Sequence, residues 1–173
     1  MEWLAIMMAL TLTQPWATLV AIGAKRIETR SWSTRYRGPL AIHAAKRFPR
    51  YAREFTTEPI CYEAVKSLYP WRDRLARVNS SGEAAYPLGV VLATCVLADC
   101  CRIVTREHMF NDAGSSSAYL ANGEMFPPLE PELSFGNYEH GRFGFLLKDV
   151  VALPKPIPAK GALGLWEWTE EVC

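Results

Sequence analysis

Leu12-Thr13-Gln14-Pro15-Trp16-Ala17-Thr18-Leu19-Val20, running on through Gly23-Ala24-Lys25-Arg26-Ile27-Glu28-Thr29-Arg30-Ser31-Trp32, sets unlike polar residues between short apolar runs. Pro15 suits the first turn of a helix over Trp16 to Ile22, Gly23 suits its C-cap, and Met8 to Thr13 before them reads as a short strand. Lys25 to Trp32 alternates as a second strand, with Arg26, Glu28, Arg30 and Trp32 on one face and Ile27 and Thr29 on the other. Lys25 and Glu28, three apart, would point to opposite faces of a regular strand. They share a site only if Lys25 sits at the helix-to-strand junction or a bulge intervenes.

Working outward, the charge is unevenly distributed. From Lys25 to Arg53 there are nine Lys or Arg residues and one acid, Glu28, in a chain whose net charge is only +1. Trp32, Tyr36, Phe48 and Tyr51 are interleaved with them. A near-neutral total excludes a bulk polyanion binder, so any nucleic-acid contact is expected to be local. The segment 107–139 is acidic, carrying Glu107, Asp112, Glu124, Glu130, Glu132 and Glu139 with no Lys or Arg, and offers a surface to a protein partner. The five cysteines are an odd set, Cys100 and Cys101 adjacent, which fits buried thiols in a reduced, cytoplasmic protein better than a disulfide framework. No Cys-x-x-Cys pair or other ligand spacing calls for a metal, and no cofactor is expected. The apolar start, Met1 to Met8, lacks a basic flank and is too short to span a bilayer, so no membrane partner is expected.

With 173 residues, half of them apolar, the chain is expected to form a single domain over 1–173. Gly38 to Ala45 predicts a third strand after a turn at Ser33 to Arg37. Glu54 to Arg77 predicts partial helix interrupted by Pro59 and Pro70, with a loop at Asn79 to Gly82. Leu88 to Leu97 predicts a buried strand. Asn111 to Asn137 predicts a long irregular insertion, and Arg142 to Leu153 a further strand. Pro154 to Gly161 predicts a turn-rich crossover, and Leu163 to Trp168 a closing strand. The sum is an α+β fold: a small mixed β-barrel of five to six strands with two to three flanking helices.

Lys25, Glu28 and Arg30 beside Gln14 supply a cation or base, a carboxylate and a planar fork of donors. That set serves acid-base work or anion recognition, against the plain alternative of an ion-paired strand face. Trp32 and Tyr36, flanked by Arg30, Arg35 and Arg37, have the makings of a base-stacking platform, although aromatic residues at strand ends also finish cores. His43, inside an apolar strand, reads as a satisfied core histidine more readily than as a catalyst. Lys46 follows on the same strand within reach of a cleft.

These residues resemble a family. Leu12 to Ala17, Gly23 to Trp32 and Tyr36-Arg37-Gly38-Pro39-Leu40-Ala41-Ile42-His43-Ala44 look like ASCH domains, and Phe135-Gly136-Asn137-Tyr138, Gly141-Arg142-Phe143-Gly144-Phe145 and Leu163-Gly164-Leu165-Trp166 agree with that pattern. The resemblance leaves out insertions at about 48–87 and 111–134. It implies a PUA-like β-barrel with a cleft lined by the Gln14 turn, the Lys25 to Arg30 segment and the Arg142 region; the candidate binding residues are Gln14, Trp16, Arg30, Trp32, Tyr36, Arg37, His43, Lys46, Tyr138 and Arg142. It also implies binding of single-stranded RNA, a nucleotide or a modified nucleoside. One branch of the family consists of amidohydrolases that deacetylate N4-acetylcytidine with a lysine, a threonine three residues later and a distant glutamate. Lys25 matches that lysine, Glu28 stands where the threonine would be, and no residue stands out as the distant glutamate. The alternative to a binding module is therefore a hydrolase for an acylated nucleoside, or a ribonuclease, using Lys25 and Glu28.

Overall fold

The computed structural model describes residues 6–66, 77–78, 84–105, 118–120 and 130–169. Glu107, Asp112 and Glu124 of the acidic segment, the Asn79 to Gly82 loop, Pro70, Cys173 and the Gly114 to Ser117 run all lie outside the described residues. Strand β1 (Ile6–Leu12) leads into α1 (Trp16–Ala21), β2 (Ile27–Arg30) and β3 (Gly38–Ala44). Helices α2 (Arg50–Phe55) and α3 (Pro59–Lys66) follow, then short β4 (Arg77–Val78) and β5 (Ala84–Ala85), which pair with each other. The long β6 (Val90–Thr105), short β7 (Ala118–Leu120), a 3-10 turn at Glu132–Phe135, the long β8 (Phe143–Pro158) and β9 (Leu165–Thr169) complete the order.

The expected mixed α+β class is observed. Six strands are hydrogen-bonded in the order β2-β8-β6-β3-β1-β9, with β7 on β6 and three α-helices among the described residues, consistent with a small PUA-like barrel. β1 runs parallel to β3, pairing Thr11 with His43, and antiparallel to β9.

The chain groups into two compact units. The first comprises Met1–Ala24, Pro39–Cys95 and Asp149–Cys173; the second comprises Lys25–Gly38 and Val96–Lys148. In the first, Ala9, Ala41, Val91 and Trp168 form a buried cluster backed by Leu153, Ile157 and Trp166. Helix α1 buries Ala17, Leu19 and Val20, which is why its sequence is apolar all round. It stops at Gly23, whose φ of 76° is left-handed and whose amide donates to the Val20 carbonyl at 2.8 Å; a Cβ there would meet no atom within 4 Å, so the glycine is needed for its dihedral alone. In the second unit, Ile27, Cys101, Ile103 and Tyr138 form the core, with Leu133 and Leu146 packed against it.

Three expectations are corrected. The helix expected from Glu54 begins earlier, as α2 at Arg50, and after the break expected at Pro59 that proline opens α3, since the first turn has no use for the donor that proline lacks. The strand expected at Leu88 to Leu97 extends to Thr105. The crossover expected at Pro154 to Gly161 belongs largely to β8, which continues to Pro158. Pro154, Pro156 and Pro158 fall at a period of two, so their donorless nitrogens face one side of the strand. The Ala159 amide donates to Gly89 at 3.0 Å, so the next residues of the other parity face β6. β2 pairs with Phe143 to Leu146, so among the described residues no strand pairs with the edge that the prolines face.

Candidate functional site

Lys25 precedes β2, at the junction that a shared site with Glu28 requires, and lies in the second unit. Its ammonium donates to the Ile27 carbonyl and stands 3.7 Å from Glu28 Oε2, while Arg30 Nε lies 3.1 Å from Glu28 Oε1. Two cations therefore hold the two oxygens of one carboxylate. Burial pushes the Lys25 ammonium down from the ordinary lysine range; the Glu28 and Glu132 carboxylates oppose that shift, and Arg30 adds to it. Side-chain exposure falls from 24% at Arg30 to 11% at Glu28 and 1% at Lys25. Arg30 and the edge of Glu28 thus face outward, and Lys25 lies behind them.

Glu132 is the residue that sequence reasoning missed. It sits on the 3-10 turn, 5% exposed, and accepts from the Arg26 amide at 2.7 Å, the Ile27 amide at 3.0 Å and the Tyr138 hydroxyl at 3.3 Å. The carboxylate thereby fixes the two consecutive amides that follow Lys25 and supplies a second negative charge to it. With Lys25 and Arg30 against Glu28 and Glu132, the cluster's formal charges cancel. Its signal in the sequence was the turn former Pro131 before an acidic residue and the Phe135 to Tyr138 motif. Glu132 itself falls within the stretch expected to be a long irregular insertion, whereas Phe135 to Tyr138 belong to the family pattern.

Around this cluster, Thr29 accepts from the Asn137 amide at 3.0 Å, and the Arg142 guanidinium reaches the Thr29 carbonyl at 3.5 Å. Arg142 Nε is buried with no hydrogen-bond partner among the described residues. Trp32, half-buried, sets its ring edge-to-face against Phe145 at 5.0 Å. Tyr138 is buried and engaged by Glu132, which makes it a support for the cluster. Tyr36 is half-buried; its hydroxyl lies 3.3 Å from where a Cβ on Gly38 would be. Arg37, a candidate binding residue, forks onto Asp99 Oδ1 through Nε at 3.1 Å and Nη2 at 2.7 Å, and donates to the Thr34 and Tyr36 carbonyls. The Cys101 thiol and then Arg37 hold the Asp99 carboxyl down at about 2.

The remaining candidates belong to the first unit. Gln14 is fully buried: its amide donates to the Pro87 carbonyl at 2.9 Å and its oxygen accepts from the Thr18 amide at 3.1 Å, holding the first turn of α1. Both ends of the side chain are thus occupied. Trp16 stacks on Phe55 at 5.3 Å and 11°. His43 is 1% exposed and bonded at both nitrogens, Nε2 to the Ala159 carbonyl at 3.1 Å and Nδ1 to Thr11 Oγ1 at 3.2 Å. The carbonyl can only accept, so Nε2 carries the proton and Nδ1 accepts from the Thr11 hydroxyl, which in turn accepts from Trp166 Nε1 at 3.0 Å. That makes His43 the satisfied core histidine of the plainer expectation. Lys46 is exposed.

The described acidic residues of the 107–139 segment have distinct local roles. Glu130 accepts from Ser134, Glu132 is buried, and Glu139 is exposed. None of the described helices is long and apolar enough to cross a membrane.

A strand, short helix and strand that deliver a buried lysine, a carboxylate and an arginine to one cluster define the class expected from the sequence. A family model described as the ASCH domain matches residues 10–138, most of the chain. The chain belongs to the ASCH domain family, and so to a PUA-like, RNA-binding group of folds. A search of curated proteins gave no match.

Proposed function

We propose that this ASCH domain binds a nucleotide or the unpaired part of an RNA, with Glu28 and Arg30 as its polar recognition centre. The observation that carries this reading is the order of exposure: Arg30 is the partly exposed member, the Glu28 carboxylate it pairs with retains a small exposed edge, and Lys25 is closed off behind them. A ligand at this cluster meets a fork of donors and an acceptor carboxylate, the pair of functions displayed by the edge of an unstacked base. The half-buried Trp32 ring supplies a stacking face, and Arg142 adds a cation in the same unit. Lys25 acts as a positioning residue: with Arg30 it holds the Glu28 carboxylate in place.

One observation favours a hydrolase as the second reading. Lys25 has its pKa lowered by burial and stands next to a carboxylate, an arrangement able to move a proton. The burial that lowers the pKa also keeps a substrate from touching the amine, so binding is favoured. The test pairs fluorescence anisotropy of a labelled single-stranded RNA with chromatographic detection of cytidine released from N4-acetylcytidine. RNA binding weakened by Trp32→Ala by about 1 to 3 kcal/mol, with no cytidine released, is the expected result. Turnover that disappears in a folded Lys25→Met variant would overturn the binding reading in favour of the hydrolase.

A further inference from the structure

The insertion after β3 carries a second aromatic and cationic surface that the Arg30 centre does not use. Residues 46–53 hold four cations, Lys46, Arg47, Arg50 and Arg53, and no acid; all four are exposed. Tyr51, on α2 among them, is 62% exposed. Its ring is 6.2 Å from Trp16, tilted by 36°, and Trp16 is itself stacked on Phe55, so the exposed tyrosine rests on a packed aromatic base. Among the described residues, Arg50 is the one of these four cations in an ion pair, with Glu54 at 2.7 Å, and at 87% side-chain exposure that pair competes weakly with a phosphate.

We propose that α2 and the Lys46–Pro49 segment before it form a second contact for single-stranded RNA, with Tyr51 stacking a base and Arg47 and Arg53 meeting phosphates. The warrant is complementarity. A supported aromatic ring beside Lys46, Arg47 and Arg53, which form no ion pair among the described residues, suits an anionic chain with planar bases, whereas an acidic polypeptide would use the charge and leave the ring without a partner. This surface lies in the first unit and does not depend on the Arg30 centre in the second.

The test measures anisotropy with fluorescein-labelled oligouridylates of about 4 and about 16 nucleotides, the span of site sizes for single-strand modules. The proposal expects Tyr51→Ala to weaken binding of the long RNA about 5- to 150-fold. Tyr51→Phe, which keeps the ring, is expected to keep the affinity. Replacing Arg47 and Arg53 together by alanine is expected to flatten the slope of log K against log salt by about 1.4, two single-strand phosphate contacts' worth. These side chains are exposed, so circular dichroism is expected to show native folding in each variant.

If Arg30→Ala weakens the short RNA while Tyr51→Ala and the double variant leave both RNAs unchanged, the second contact is overturned and the Arg30 centre stands. Long-RNA binding that depends on Tyr51 but not on Arg30 supports the second contact and refutes the first. Displacement of the long RNA by poly-glutamate as readily as by unlabelled oligouridylate would show a surface that reads charge alone and overturn the proposal. A wild type that binds neither RNA overturns both.

Discussion

Glu132→Ala removes the acceptor shared by the Arg26 amide, the Ile27 amide and the Tyr138 hydroxyl. A buried donor left without an acceptor costs about 1 to 3 kcal/mol. Glu132 and Ile27 are buried, whereas the Arg26 contact is only part-buried and counts at the low end. The substitution also takes one of two carboxylates from buried Lys25. Together these losses come to about 3 to 5 kcal/mol, the range for breaking a buried charged network. At about 2 to 4 °C per kcal/mol for a chain of this size, the melting temperature should fall by roughly 10 °C. Glu132→Gln, which keeps one acceptor oxygen, should cost about 1 to 3 kcal/mol. The assay is urea unfolding followed by both circular dichroism and tryptophan fluorescence, whose coincidence checks that one transition is being measured. An alanine variant within about 0.5 kcal/mol of wild type would refute the claim that this carboxylate organises the junction, since that is the ordinary range for a featureless surface position.

Gly161→Ala would place a Cβ inside van der Waals contact of the His43 ring and 2.9 Å from Thr11 Oγ1; a loss of about 1 to 3 kcal/mol in urea unfolding is expected, and no loss would show that the segment yields freely. Burial lowers the His43 pKa, with the Ala159 hydrogen bond opposing. The unfolded chain therefore takes up that proton first, and the His43 contribution to stability, full above about pH 6.5, is lost as pH falls through the lower folded value. The urea midpoint of wild type should drop faster than that of His43→Asn between about pH 7 and 5; parallel curves would contradict this. Burial pushes the Cys61 thiol up to about 11 and the Cys95 thiol up to about 12. In native protein at about pH 7.5, iodoacetamide should leave both unmodified by peptide mass mapping, and rapid labelling of either would show that it is not held in the core.

The opening of the fold was legible because short-range rules decide it. Pro15 starts α1, Gly23 ends it through its dihedral, and a following alternation marks β2. The same rules allow Lys25 and Glu28 to share a site only through a junction or a bulge, and the structure realises the junction. Glu132 was not legible, because its role is a contact with amides more than a hundred positions earlier in the chain, across a segment whose composition resembles a loop. Gln14 and Arg37 illustrate a related limit: their residue types suit base and phosphate recognition, but whether a polar side chain meets a ligand or its own fold depends on distant partners such as Pro87 and Asp99. The strand expected at Arg142 to Leu153 is present, and only its continuation to Pro158 was not legible, because proline weighs against a strand by propensity while its period of two leaves the alternate donors of β8 intact.

The central claim, that Arg30 and Glu28 meet the ligand while Lys25 only positions them, is tested most directly by anisotropy of a short labelled single-stranded RNA at two salt concentrations with wild type, Arg30→Ala and Lys25→Met. The account predicts that Arg30→Ala weakens binding at both salt concentrations, while folded Lys25→Met retains measurable affinity. Wild-type affinity in Arg30→Ala, with binding abolished in Lys25→Met, would contradict it.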